Sequence, residues 1–96
     1  MDPFETAMAA LADRFRERCA REREELRTLI DRGHLYDPQV RRLLHGLAGT
    51  GGSFGFVEVS AMARKVELAI DEHAVDPADL PRLFAALETC TQTAVE

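Results

Sequence analysis

Asp37-Pro38-Gln39-Val40-Arg41-Arg42-Leu43-Leu44-His45-Gly46-Leu47-Ala48-Gly49-Thr50-Gly51-Gly52 reads as one amphipathic helix that glycine brings to a stop. The Asp37 side chain can accept from the free N–H groups of a first turn, and Pro38 needs no N–H at the first helical position. Val40, Leu43, Leu44, Leu47 and Thr50 follow at three- and four-residue steps and line one buried side. Gly51, Gly52 and Gly55 make continued helix costly, at about 1 kcal/mol each relative to alanine. The chain is therefore expected to turn between Gly52 and Phe56.

Working outward, the same grammar recurs. Upstream, Asp2 caps a helix with Pro3 at its first position and Glu5 three residues beyond the cap. Phe4, Met8, Leu11, Phe15, Cys19, Leu26, Leu29 and Ile30 form its apolar stripe. Glu22 and Arg23 interrupt that stripe, and a kink or change of face is expected there. Gly33 is a stop signal. Downstream, Val59, Met62, Ala63, Val66, Ala69 and Ile70 define a third helix. Asp76-Pro77, with Asp79, opens a fourth, whose regular part is expected from Pro81 because proline lacks an N–H. Leu80, Leu83, Phe84 and Leu87 point inward from it, and fraying is expected from Thr89 on. No segment sustains period-two alternation. The expected fold is all-α, an antiparallel four-helix bundle with a long N-terminal helix, as a single domain over residues 1–96.

Ninety-six residues with 46% hydrophobic content suffice for one modest core and leave no room for a second domain. The opening Met-Asp-Pro-Phe reads as a natural start without a secretory leader. The longest uncharged stretch by this reading, Leu43 to Val57, is too short and glycine-rich to span a bilayer, so no membrane association and a cytoplasmic location are expected. A net charge of -5 argues against nucleic acid, whose phosphates require a positive footprint. Arg and Glu alternate densely over residues 13–27, as on a solvated helix face laced with ion pairs. Cys19 and Cys90 form no Cys-x-x-Cys pair and read as inert packing thiols. Three histidines and two cysteines lie scattered without ligand spacing, so neither a metal nor any other cofactor is expected. His34 and His73 read as helix-terminus residues.

His45 differs from those two. It lies two residues before Leu47, about 200° around the helix, and so points away from the core. Arg41, Arg42, Ala48, Gly49 and Gly52 are expected beside it on the outward surface. A glycine such as Gly49 inside a helix sacrifices stability and offers no packing; its physical use is to let another surface come close. Phosphoryl transfer needs that access, because the attacking nitrogen must lie in line with phosphorus and the leaving oxygen. Arg41 and Arg42, one turn earlier, can support the incoming negative charge.

The series His45-x-Leu47-x-Gly49-Thr50, then Gly55-Phe56 and the helix from Ala61 to Glu67, resembles the signature of histidine-containing phosphotransfer domains. The detailed match runs from Leu43 to Glu67, about a quarter of the chain, and the four-helix pattern agrees over the rest. The resemblance implies that His45 takes a phosphoryl group from the aspartate of one receiver domain and passes it to another. The donor would be a hybrid histidine kinase and the acceptor a response regulator. It also implies that Glu67 orients His45: by accepting from Nδ1–H it would leave Nε2 unprotonated and nucleophilic. The family often has lysine three residues after the histidine, where this chain has Ala48; Arg64 and Arg41 are the candidates to replace that cation.

The chain is expected to be a monomeric relay intermediate and not a kinase, for it has no nucleotide-binding loop and no catalytic metal cluster. Specificity is expected in Arg41, Arg42, Ala48, Gly52 and Arg64. Two other readings stand beside this one. The first is a non-phosphorylated helical docking module for receiver domains or other helical proteins. The second is a homodimeric bundle joined through the first helix.

Overall fold

The computed structural model describes residues 2–92. It contains α1 (Pro3–Asp31), α2 (Pro38–Ser53), α3 (Val57–Asp71) and α4 (Asp79–Gln92). Neighbouring backbones approach in the order α1–α2, α2–α3, α3–α4 and α4–α1, and neither diagonal pair brings Cα atoms within 8 Å among the described residues. That closed ring, with short connections, is an antiparallel four-helix bundle. Among the described residues no helix is long and apolar enough to cross a membrane.

The starts of α1 and α2 follow from their caps. Asp2 accepts from Glu5 N–H at 2.8 Å and Asp37 from Gln39 N–H at 2.8 Å, each with proline in the first turn. Three helices end alike: a residue of positive φ follows the helix, and the next N–H reaches back five residues. Gly33 (φ 83) sits before the 2.8 Å bond from His34 N–H to the Leu29 carbonyl. Gly55 (φ 81) precedes that from Phe56 to Gly51, also 2.8 Å. At the end of α3 the left-handed position belongs to His73 (φ 52) instead of glycine. Tyr36 stacks on its ring with centroids 4.4 Å apart, and the Tyr36 hydroxyl accepts from Val75 N–H at 3.2 Å. The α1–α2 and α3–α4 connections are thereby tied together at one end of the bundle.

Leu26, Val40, Leu44, Leu47, Ala63, Val66, Leu83 and Leu87 form the center of the core. Several expectations are corrected. Phe4 (73% exposed) and Leu11 lie outside the core, and Met8 is half-buried. The cause is length: the 29 residues of α1 rise about 43 Å at 1.5 Å each, whereas its partners have 14 to 16 residues. Phe15 meets Phe54 and Phe56 at the α2–α3 turn, so the first turns of α1 project past that end. Glu22 does not divide α1, which is one helix; its carboxylate is buried and takes the Arg18 guanidinium, four residues back. α4 begins at Asp79, two residues before Pro81, whose missing N–H falls in the first turn where no bond is required. Thr89 to Gln92 are helical; the rest of the segment expected to fray, residues 93–96, lies outside the described residues.

Candidate functional site

Three contacts join the outer edges of α2 and α3. Ser60 Oγ donates to the Ala48 carbonyl at 2.7 Å. His45 Nδ1 lies 2.7 Å from Glu67 Oε2. Arg41 Nε donates to Asp71 Oδ1 at 2.7 Å, with Nη2 3.3 Å from Oδ2. Because the helices are antiparallel, these contacts form a ladder along the groove. Arg41 and His45, four residues apart on α2, face Glu67 and Asp71, four apart on α3.

The middle rung pairs unlike environments. The His45 side chain is 70% exposed, whereas that of Glu67 is 5% exposed. An ionised carboxylate only accepts hydrogen bonds, so the 2.7 Å contact suits a ring that carries a proton on Nδ1. Nε2 is on the opposite side of this largely exposed ring. Glu67 Oε1 is buried without a hydrogen-bond partner. Arg41 Nη2 is 3.7 Å from Glu67 Oε2. The Asp71 bond holds the Arg41 guanidinium above its ordinary range, and Arg41 in turn holds the Asp71 carboxyl below the usual carboxylate range.

The residues expected around His45 divide in three. Arg42, Gly49 and Gly52 are exposed beside it; a Cβ built on Gly49 would meet nothing within 4 Å. Arg41 is exposed but engaged by Asp71 and Glu67. Ala48 corrects the expectation of an outward position: it is only 7% exposed, because α3 covers it where Ser60 binds its carbonyl. Arg64 is exposed and forms no hydrogen bond or ion pair among the described residues. It shares the α3 stripe of Ser60, Glu67 and Asp71, at the step between Ser60 and Glu67. Gly46, next to His45, faces α1, where the Arg18 guanidinium lies against it and donates to Thr50 Oγ1 at 3.1 Å.

Asp71 was not singled out in the sequence. Its signal was available: Glu67 and Asp71 four apart on one helix match Arg41 and His45 four apart on its neighbour. Among the described residues no group of three or more His, Cys, Asp or Glu side chains could hold a metal ion.

The bundle thus sets the exposed His45 ring against the buried Glu67 carboxylate, an arrangement suited to chemistry at the ring. The Hpt domain family model matches residues 10–96, and the chain belongs to that family. It is therefore a histidine phosphotransfer module of two-component signalling, a class whose members interact with receiver domains of kinases and response regulators. No curated protein and no solved structure matches the chain.

Proposed function

We propose that His45 is the phosphoryl carrier, taking the group from a receiver-domain aspartyl phosphate of a hybrid histidine kinase and passing it to the receiver aspartate of a response regulator. The observation that carries this reading is the 2.7 Å contact between Nδ1 of an exposed ring and a buried carboxylate. The Nε2 lone pair attacks phosphorus as the bond from phosphorus to the donor's carboxylate oxygen breaks. The donor regains its carboxylate, and the ring holds the phosphoryl group on Nε2 and its proton on Nδ1. Glu67 stabilises the positive charge that develops on the ring. Transfer onward is the same step in reverse on a second aspartate. The partner receivers supply the metal ion, and the relay operates in the cytoplasm.

For the phosphoryl charge, Arg64 and Arg42 are the cations at hand, since Asp71 already engages Arg41. Gly49 gives the receiver a low surface on which to seat, while the bare side of Gly52 admits Ser60 of α3. A labelled phospho-receiver incubated with this chain should place acid-labile, base-stable label on the wild type and none on His45→Ala. Receivers that bind the wild type and transfer no label to it would overturn the relay and favour a docking module.

A further inference from the structure

Cys19 and Cys90 touch in the α1–α4 seam, but they are buried away from any reactant. The projecting face of α1, with Phe4 and Leu11, has nothing in the structure to say what covers it.

We propose that Asp71 is a positioning residue for phosphotransfer, acting through Arg41 to fix the Glu67 carboxylate and, through it, the tautomer of His45. The inference rests on His45 being the acceptor. Glu67 is buried, and its Oε1 has no hydrogen-bond partner. The polar groups near the carboxylate are therefore both at Oε2: His45 Nδ1 at 2.7 Å and Arg41 Nη2 at 3.7 Å. His45 cannot fix the carboxylate alone, because a largely exposed ring is itself free to turn. Arg41 can, provided its own long side chain is held. Asp71 holds it with two parallel contacts, from Nε and Nη2, in the fork geometry that a guanidinium and a carboxylate share.

The consequence lies at the reacting atom. A neutral imidazole has one N–H, and whichever nitrogen bears it cannot attack phosphorus. Glu67 in its observed orientation keeps the proton on Nδ1. If Arg41 drifts, the carboxylate turns, the restraint on Nδ1–H weakens, and part of the population carries its proton on Nε2, where it blocks attack. The other cations close by do not replace Arg41 at Glu67. Arg42 and Arg64 are exposed and unpaired among the described residues, and Arg18 of α1 is bound to Glu22 on the far side of Gly46.

The test uses the whole chain with phosphoramidate as the donor: Nε2 attacks phosphorus, the P–N bond of the donor breaks, and ammonia leaves with the protons its nitrogen already carries in the zwitterionic donor, while the ring keeps Nδ1–H. Wild type, Asp71→Asn, Asp71→Glu and Glu67→Ala are compared for labelling rate and for the ¹⁵N shifts of the His45 ring. Exposed ion pairs have small effects, so Asp71→Asn should slow labelling about two- to fivefold. It should also move the ring shifts toward the Nε2–H tautomer, the direction Glu67→Ala takes further. Asp71→Glu should restore both. A merely stabilising Asp71 would leave the tautomer alone, so ring shifts and rate at wild-type values in Asp71→Asn overturn the proposal. If phosphoramidate and phospho-receivers both leave His45 unlabelled in the wild type, the carrier reading fails instead. The ring shifts would still judge the contact chain.

Discussion

The α2–α3 groove and the α1–α4 seam each bring two potentially reactive side chains together across antiparallel helices. In the groove, His45 Nδ1 and Glu67 Oε2 are 2.7 Å apart; in the seam, Cys90 Sγ and Cys19 Sγ are 3.4 Å apart and unbonded as a disulfide. The difference is access and charge. Both thiols are buried, and burial, followed by the contact with Cys90, pushes the Cys19 thiol well up from its ordinary value. The thiolate is the reactive form, so burial of this kind silences the seam. In the groove only the carboxylate is buried, while the ring it addresses remains in solvent. The seam thus buries both of its partners, whereas the groove buries one and leaves the other open to solvent.

The comparison is tested most severely by cutting each side. Leu26 is fully buried on α1, two turns from Cys19, and Leu26→Ala should cost about 2–5 kcal/mol through lost burial and the cavity left behind. Arg42→Ala, on the open surface beside His45, should stay within about 0.5 kcal/mol of wild type. Urea unfolding of both variants measures the contrast. A Leu26→Ala cost no larger than that of Arg42→Ala would break the placement of Leu26 in the core.

The next effect depends on pH. The folded Cys19 thiol keeps its proton above its ordinary value of 9.0, whereas the unfolded thiol loses it there. The unfolded state therefore binds fewer protons in that range, and the contribution of Cys19 to stability falls as pH rises past about 9, by at most about 1.4 kcal/mol per pH unit. Below that pH the contribution is constant. Unfolding series for wild type and Cys19→Ala, with the difference plotted against pH, isolate it from the other groups that titrate there. A flat difference from pH 8 to 10.5 would show that the seam admits the thiolate.

What the sequence made legible was local. Asp2-Pro3 and Asp37-Pro38 announce helix starts because caps act within one turn, and Leu44 and Leu47 locate His45 because one helix fixes its own inward face. What escaped depended on a neighbour. Ala48 looks outward on α2 taken alone, but α3 lies over it; Phe4 and Leu11 look inward on α1 taken alone, but the other helices stop short. The Arg18–Glu22 pair was readable as an i,i+4 spacing, though not its burial. His73 takes a left-handed conformation that favours glycine, supported by Tyr36 from the opposite connection, and no local signal announces that. In the site itself, His45 and Gly49 could be read on one helix, whereas the Asp71–Arg41 link joins two.

The smallest effect separates the two regions most cleanly, because stability and function should move in opposite directions. Gly49 lies inside α2, and its φ is not in the left-handed region, so alanine can adopt the same backbone. The new methyl group would meet nothing within 4 Å. Gly49→Ala should therefore stabilise the chain by about 0.4–1 kcal/mol, mainly by restricting the unfolded state. If the bare surface exists to admit a receiver domain, the same methyl should slow transfer from a phospho-receiver, and Gly49→Gln should slow it further. In the seam, Leu26→Ala removes packing and can only weaken the fold that carries the site. Denaturation midpoints and transfer rates on the two Gly49 variants decide the matter. Gly49→Gln transferring as fast as wild type would mean that no partner surface approaches at Gly49, and the glycine would then have no access role in the groove.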